Sequence, residues 1–148
     1  MKKFWFILTG LILAGITFSS SVHGVDSGYS SMRIAMVVQS ILPIDAGMLN
    51  FLVRKTAHFV VYFVLGFCFF NYAKFEIKQK KPLFFLSWGF ASVFGVFDEI
   101  HQYFVPGRVC AISDMLINSA GALAGVTCAM LVYSFYKIRK TRPDLLKP

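Results

Sequence analysis

A helix that crosses the hydrocarbon of a bilayer needs about 20 predominantly apolar residues, and this chain holds four stretches near that length. Lys2 and Lys3 precede an uncharged run from Phe4 to Val22. A second run extends from about Leu49 to Ala73, with Arg54, Lys55 and His58 near its start. A third begins at Pro82 and stays uncharged to Phe97. The fourth runs from about Ile112 to Tyr136, with Asp114 near its start. One aqueous core in a 148-residue chain has no room for these runs together with 17 Phe, 6 Tyr and 2 Trp. Charged residues are 15% of the chain, against about 25% in soluble domains. Such apolarity excludes a disordered chain. It also excludes a conventional nucleic-acid binder, whose basic charge needs a polar surface. The expected fold is an all-α transmembrane bundle of four helices.

The net charge of +8 is unevenly spread. The N-terminus, the stretch 74–81 and the tail carry eleven Lys and Arg against Glu76 and Asp144. The remaining segments carry Arg33, Arg54, Lys55 and Arg108 against five acidic residues. The positive-inside rule then places both termini in the cytoplasm. The expected organisation is an N-terminal transmembrane helix over 1–22, an extracytoplasmic segment over 23–48, a three-helix core over 49–136 and a basic cytoplasmic tail over 137–148. The first helix also resembles a secretory signal, with Ser19, Ser20 and Ser21 after its apolar core. No A-x-A site follows, so a retained helix is favoured; cleavage would leave three spans. Cys68, Cys110 and Cys128 form neither a disulfide framework nor a zinc pattern.

The second and third runs have short uncharged cores and must extend into their polar ends to span. Counted from the inner lysines at about 1.5 Å per residue, Lys55 lies about 28 Å from Lys74, Glu99 about 27 Å from Lys81, and Asn118 about 28 Å from Lys137. Three helices therefore bring polar groups to one level near the outer edge of the hydrocarbon. Lys55, His58 and Tyr62 share one helical stripe, as do Glu99 and Gln102. Asp114, Asn118, Gly121 and Gly125 form a third stripe, whose GxxxG pattern favours close packing within the bundle over dimerisation. Glu99 or Asp114 is the expected partner of Lys55. Arg108 could reach Asp114 or receive an external anion. Bland readings compete with these. Lys55 and Arg54 can snorkel to the interface, His58 can be a packing histidine, and His101 can simply face water. The set as a whole, with Asp98, points to function, because ionisable groups within a membrane are costly.

These residues also carry a resemblance. Lys55-Thr56-Ala57-His58 with Tyr62, Asp98-Glu99-Ile100-His101-Gln102, Pro106-Gly107-Arg108, and Asp114 with Asn118, Gly121 and Gly125 resemble the VanZ-like family over about 40–135. The resemblance implies a small multi-helix protein of the bacterial cytoplasmic (inner) membrane whose family-typical polar positions are Lys55, His58, Tyr62, Glu99, Gln102, Arg108, Asp114 and Asn118. The family's namesake lowers susceptibility to teicoplanin.

Four function classes follow. The first is a non-catalytic envelope protein that binds a lipid-linked cell-wall precursor or a lipoglycopeptide. There Lys55 and Arg108 would hold anions, and Glu99, Gln102 and Asn118 would hydrogen-bond. The second is a membrane enzyme on a lipid-linked substrate, with His58 or Glu99 as general acid or base. The third is purely structural glue, and the fourth is transport by an oligomer. No cofactor and no metal is expected: there is no HExxH pair, and Asp98, His101 and Asp114 are only a weak ligand set. Expected partners are membrane lipids and not nucleic acid; the oligomeric state is left open.

Overall fold

The computed structural model describes residues 1–41 and 44–141. The part of the basic tail that carries Arg142, Asp144 and Lys147 lies outside the described residues. The described residues form five helices: α1 (Lys2–Ser21), α2 (Gly24–Gln39), α3 (Ala46–Ala73), α4 (Lys80–Tyr103) and α5 (Ile112–Thr141). No strand occurs among the described residues. Four helices, all but α2, are long and apolar enough to cross a membrane. They present large apolar side chains outward, among them Phe6, Ile7 and Leu11 on α1 and Phe85, Leu86 and Phe97 on α4. Exposed apolar area on that scale is stable against lipid, not against water. The protein is a helical membrane bundle.

Each span runs past its uncharged core, for reasons local to its ends. α3 begins three residues before the apolar run because Asp45 caps it, accepting from the Met48 amide at 3.0 Å. α4 carries Pro82 in its first turn, where an amide proton has no intrahelical partner. It continues through Asp98, Glu99 and Gln102, all buried. α5 continues to Thr141, and Arg139 and Lys140 in its last turn complement the helix dipole.

α3 is the central element, packing on each of the other four helices. It runs parallel to α5 in a close crossing. A Cβ on Gly121 would lie 2.3 Å from the Phe59 carbonyl oxygen, and one on Gly125 would lie 2.0 Å from that of Phe63. α4 is joined to α3 by Phe69 stacked on Phe90, with ring centroids 4.0 Å apart. It is joined to α5 by the Trp88 indole, which donates to the Ser119 carbonyl at 3.2 Å. Lys2 pairs with Glu76 in the α3–α4 connection, and Lys80 donates to Ser134 of α5 at 3.1 Å. The start of α1, the α3–α4 connection and the end of α5 thus share one lysine-rich end.

The segment 23–48 contains α2, a helix that the apolar-run reading leaves unassigned. It is too short and polar to read as a span. Its signal is a stripe of small residues, Gly24, Gly28, Ser31 and Ala35, with Ser31 and Ala35 buried where α2 packs on α3. Val25, Tyr29 and Met36 face outward.

Candidate polar site

The polar site lies at the end of the bundle opposite the lysines. α3 contributes Lys55, His58 and Tyr62, α4 contributes Asp98, Glu99 and Gln102, and α5 contributes Asp114 and Asn118. The i, i+3, i+4 and i+7 spacings align these residues inward along each helix. Tyr62, Glu99, Gln102 and Asn118 are at most 3% exposed, and Asp98 is also buried.

Two linked clusters result. In the first, Lys55 pairs with Asp114 and donates to Ser113 at 3.2 Å. One turn deeper, His58 Nδ1 lies 3.0 Å from Asn118 Oδ1 and 3.7 Å from Glu99 Oε1. Glu99 Oε2 accepts from the Ala111 amide at 3.4 Å. In the second cluster, Gln102 Nε2 donates to Asp98 at 3.2 Å, to Glu99 at 3.5 Å and to Ser20 of α1 at 3.4 Å. Its Oε1 accepts from Arg108 Nη1 at 3.3 Å. Gln102 therefore bridges the carboxylates to Arg108. The Tyr62 hydroxyl and Asn118 Nδ2 are buried without a hydrogen-bond partner.

Arg108 does not turn to Asp114, one of its two expected uses. That carboxylate is taken by Lys55, and Arg108 instead reaches the C-terminal end of α1. Its Nε donates to the Val22 carbonyl at 3.1 Å and its Nη2 to the Ser19 carbonyl at 2.8 Å. Both carbonyls lie at the C-terminal end of α1, where the helix dipole suits a cation, and that of Ser19 also accepts from the Val22 amide at 3.3 Å. The Pro106-Gly107 turn sets this direction. Gly107 has φ +75°, and the Arg108 amide closes the turn onto Val105 at 3.1 Å. That is the geometry of a type II turn, with Pro second and Gly third. The turn is held against α2 by the Gly24 amide, which donates to Pro106 at 3.0 Å. Burial, and next the charge of Arg54, push the Arg108 guanidinium below its ordinary pKa, with Asp98 and Glu99 opposing.

His101 lies outside the buried set, with its exposed Nε2 3.1 Å from Ser21 Oγ. Asp98, His101 and Asp114 are not the acidic and imidazole groups that converge. Among the described residues, His58, Glu99 and Asp114 are. Spacing also misses several contributors: Ser19 and Ser20 on α1, Ser113, and Gly95. A Cβ on Gly95 would lie 3.0 Å from the Asn118 Cβ and 3.2 Å from the Tyr62 ring, so its absence makes room for both. The signal for Gly95 was its place one turn before Asp98 and Glu99 on the same helix.

Between α1, α3 and α4 lies an open groove of about 360 Å³. Its length is apolar, with Ile12, Ile16, Val60 and Val64, and its end is polar, with His58, Asp98, Gln102 and Arg108.

No curated protein and no solved structure matches the chain. The model of the VanZ/LLP1 family matches residues 4–133, a span that includes α1 from Phe4 onward and every residue of the polar site. The chain belongs to the VanZ/LLP1 family.

Proposed function

We propose that this protein acts at the bacterial cell envelope by holding a lipid-linked or lipidated envelope molecule at the outer face of the cytoplasmic membrane. Both termini are then in the cytoplasm, as the excess of lysine and arginine at their end of the bundle favours. The observation that carries the reading is the groove. Its volume is near the lower end of the roughly 300–1,000 Å³ of ligand pockets. Its apolar length suits a hydrocarbon chain that enters sideways from the bilayer. Its polar end suits a phosphate or amide-rich head group. Arg108 has five donors, and its three bonds to Val22, Ser19 and Gln102 leave others for an anion. A lipid-linked cell-wall precursor and a lipoglycopeptide such as teicoplanin share this polarity, and holding either one would lower teicoplanin susceptibility.

A second reading is an enzyme on the same class of substrate, with His58 and Glu99 as acid and base. The 3.7 Å approach of His58 Nδ1 to Glu99 Oε1 favours it. With Asn118 Oδ1 accepting from Nδ1, the lone pair of the neutral ring lies on Nε2. His58 also lines the groove, so that lone pair belongs to a residue a head group would touch.

The test is a deletion strain complemented with wild type, with Glu99→Gln, or with Lys55→Ala plus Glu99→Ala. Teicoplanin susceptibility and envelope lipid composition are the readouts. Wild type should alter at least one of them, and the variants should not. Identical profiles for all strains would end the binding reading. Conversion of an envelope lipid by purified wild type, lost in Glu99→Gln, would move the assignment to the enzyme.

A further inference from the structure

Between α3, α4 and α5 the polar site holds donor atoms that its own hydrogen bonds do not fully use. His58, Glu99 and Asp114 stand on three different helices, yet each offers a donor atom within 4.8 Å of the other two. Asn118 Oδ1 is a fourth donor, 3.0 Å from His58 Nδ1. Glu99 Oε1 lies 3.7 Å from the same nitrogen. Donors in one tetrahedral or octahedral shell with bonds of about 2.1 Å lie roughly 3.0–3.4 Å apart. The separations of 3.0 and 3.7 Å about His58 Nδ1 are close to that range, and the wider limit of 4.8 Å across His58, Glu99 and Asp114 leaves the carboxylates to close in on an ion.

Two independent observations favour a cation at these groups. Glu99 is fully buried, and its contacts are all long: 3.4 Å to the Ala111 amide, 3.5 Å to Gln102 and 3.7 Å to His58. A buried carboxylate so weakly partnered is costly until a cation compensates it. The Asn118 amide is also fully buried, touches His58, and leaves its Nδ2 without a partner. A side-chain amide used through its oxygen as a metal ligand has that outcome.

We propose that His58, Glu99, Asp114 and Asn118 form a binding site for one divalent first-row transition-metal ion. Two carboxylates cancel the ion's charge, and the amide oxygen and the imidazole Nδ1 complete the donor set, the ring proton moving from Nδ1 to Nε2 when the ion binds. One nitrogen and three oxygens suit Mn²⁺, Fe²⁺ or Zn²⁺. Lys55 is the built-in competitor, since its ammonium pairs with Asp114. The Lys55 and Asp114 side chains are 20% and 13% exposed, which leaves an approach from the membrane surface. The site goes beyond the proposed lipid binding and does not depend on it, although His58 belongs to both.

The test uses the full chain purified in detergent, stripped with EDTA, freed of chelator and loaded with Mn²⁺ or Zn²⁺ alone. Readouts are metal retained after desalting, by elemental analysis, and the electron paramagnetic resonance spectrum of Mn²⁺. Wild type should retain about one ion per chain, and Glu99→Gln or Asp114→Asn should lose it. Lys55→Met, which removes the competitor, should bind roughly tenfold more tightly. Size-exclusion profiles identify the variants that stay folded, and at least one of the two carboxamide variants is expected among them. If both unfold, tighter binding by Lys55→Met carries the proposal by itself. Retention equal to wild type in a folded Glu99→Gln or Asp114→Asn protein would overturn the proposal, as would no retention in either wild type or Lys55→Met. Lipid binding that persists without metal leaves the proposed function standing, so the two failures are distinguishable.

Discussion

Gly125→Ala is the most sensitive probe of how the bundle holds its site. The new Cβ would meet the Phe63 carbonyl oxygen at 2.0 Å, its carbon at 2.8 Å and the Phe63 Cα at 3.0 Å. These are backbone atoms of α3, so no rotamer change relieves the clash. To restore ordinary contact the two helices must separate by roughly 1.4 Å. Overpacking of a close interior contact costs about 1–3 kcal/mol. Separation also strains the His58–Asn118 bond between the same two helices, 3.0 Å long, which adds about 1 kcal/mol. The sum, about 3 kcal/mol, corresponds to a fall in Tm of about 10 °C for a chain of this size. The control is Gly89→Ala in α4, where an added Cβ has nothing within 4 Å. There alanine should be neutral or gain up to about 1 kcal/mol from helix propensity. Thermal unfolding in detergent, read by fluorescence-detected size exclusion, compares the two. If Gly125→Ala melts within about 2 °C of Gly89→Ala, the close α3–α5 crossing is wrong. A changed oligomeric state at unchanged Tm would assign the glycine pair to dimerisation instead.

Substitutions at two further positions test how α1 and the Pro106-Gly107 turn are joined to the site. Arg108→Gln removes the bonds to Ser19 and Val22 and should cost about 2–3 kcal/mol, with faster proteolysis at the α1–α2 junction. Arg108→Lys should recover less than half of that, because one ammonium does not reproduce a planar fork. Gly24→Ala would place a Cβ 1.8 Å from the Gly107 oxygen and break the 3.0 Å bond from the Gly24 amide to Pro106. A loss of about 2 kcal/mol is expected; a Tm equal to that of wild type would show that this turn does not bear on α2.

Much of the fold is legible in the sequence because its causes are local. Hydrophobic runs of sufficient length specify spans, and the 3.6-residue period places Lys55, His58 and Tyr62 on one stripe of α3 without knowledge of its neighbours. Counting residues from the lysines brings Glu99 and Asn118 to the same level for the same reason. The GxxxG spacing marks a face of α5 that permits close approach, but not the helix that approaches. α2 escapes the reading because its signal is a stripe of small residues on a polar helix, and small residues declare packing only when the partner is known.

The sequence by itself determined a membrane bundle of four long helices, with lysines at one end and a layer of polar groups near the other. Tertiary structure decided the pairings within that layer. It assigned Asp114 to Lys55, turned Arg108 to the α1 carbonyls, brought Ser20 to Gln102 and used Gly95 to seat Asn118 and Tyr62. The physical reason is that span length, charge and helical period are properties of one segment. Which side chains meet depends on helix crossings and on the direction of one turn, and these are settled only when all the helices pack at once.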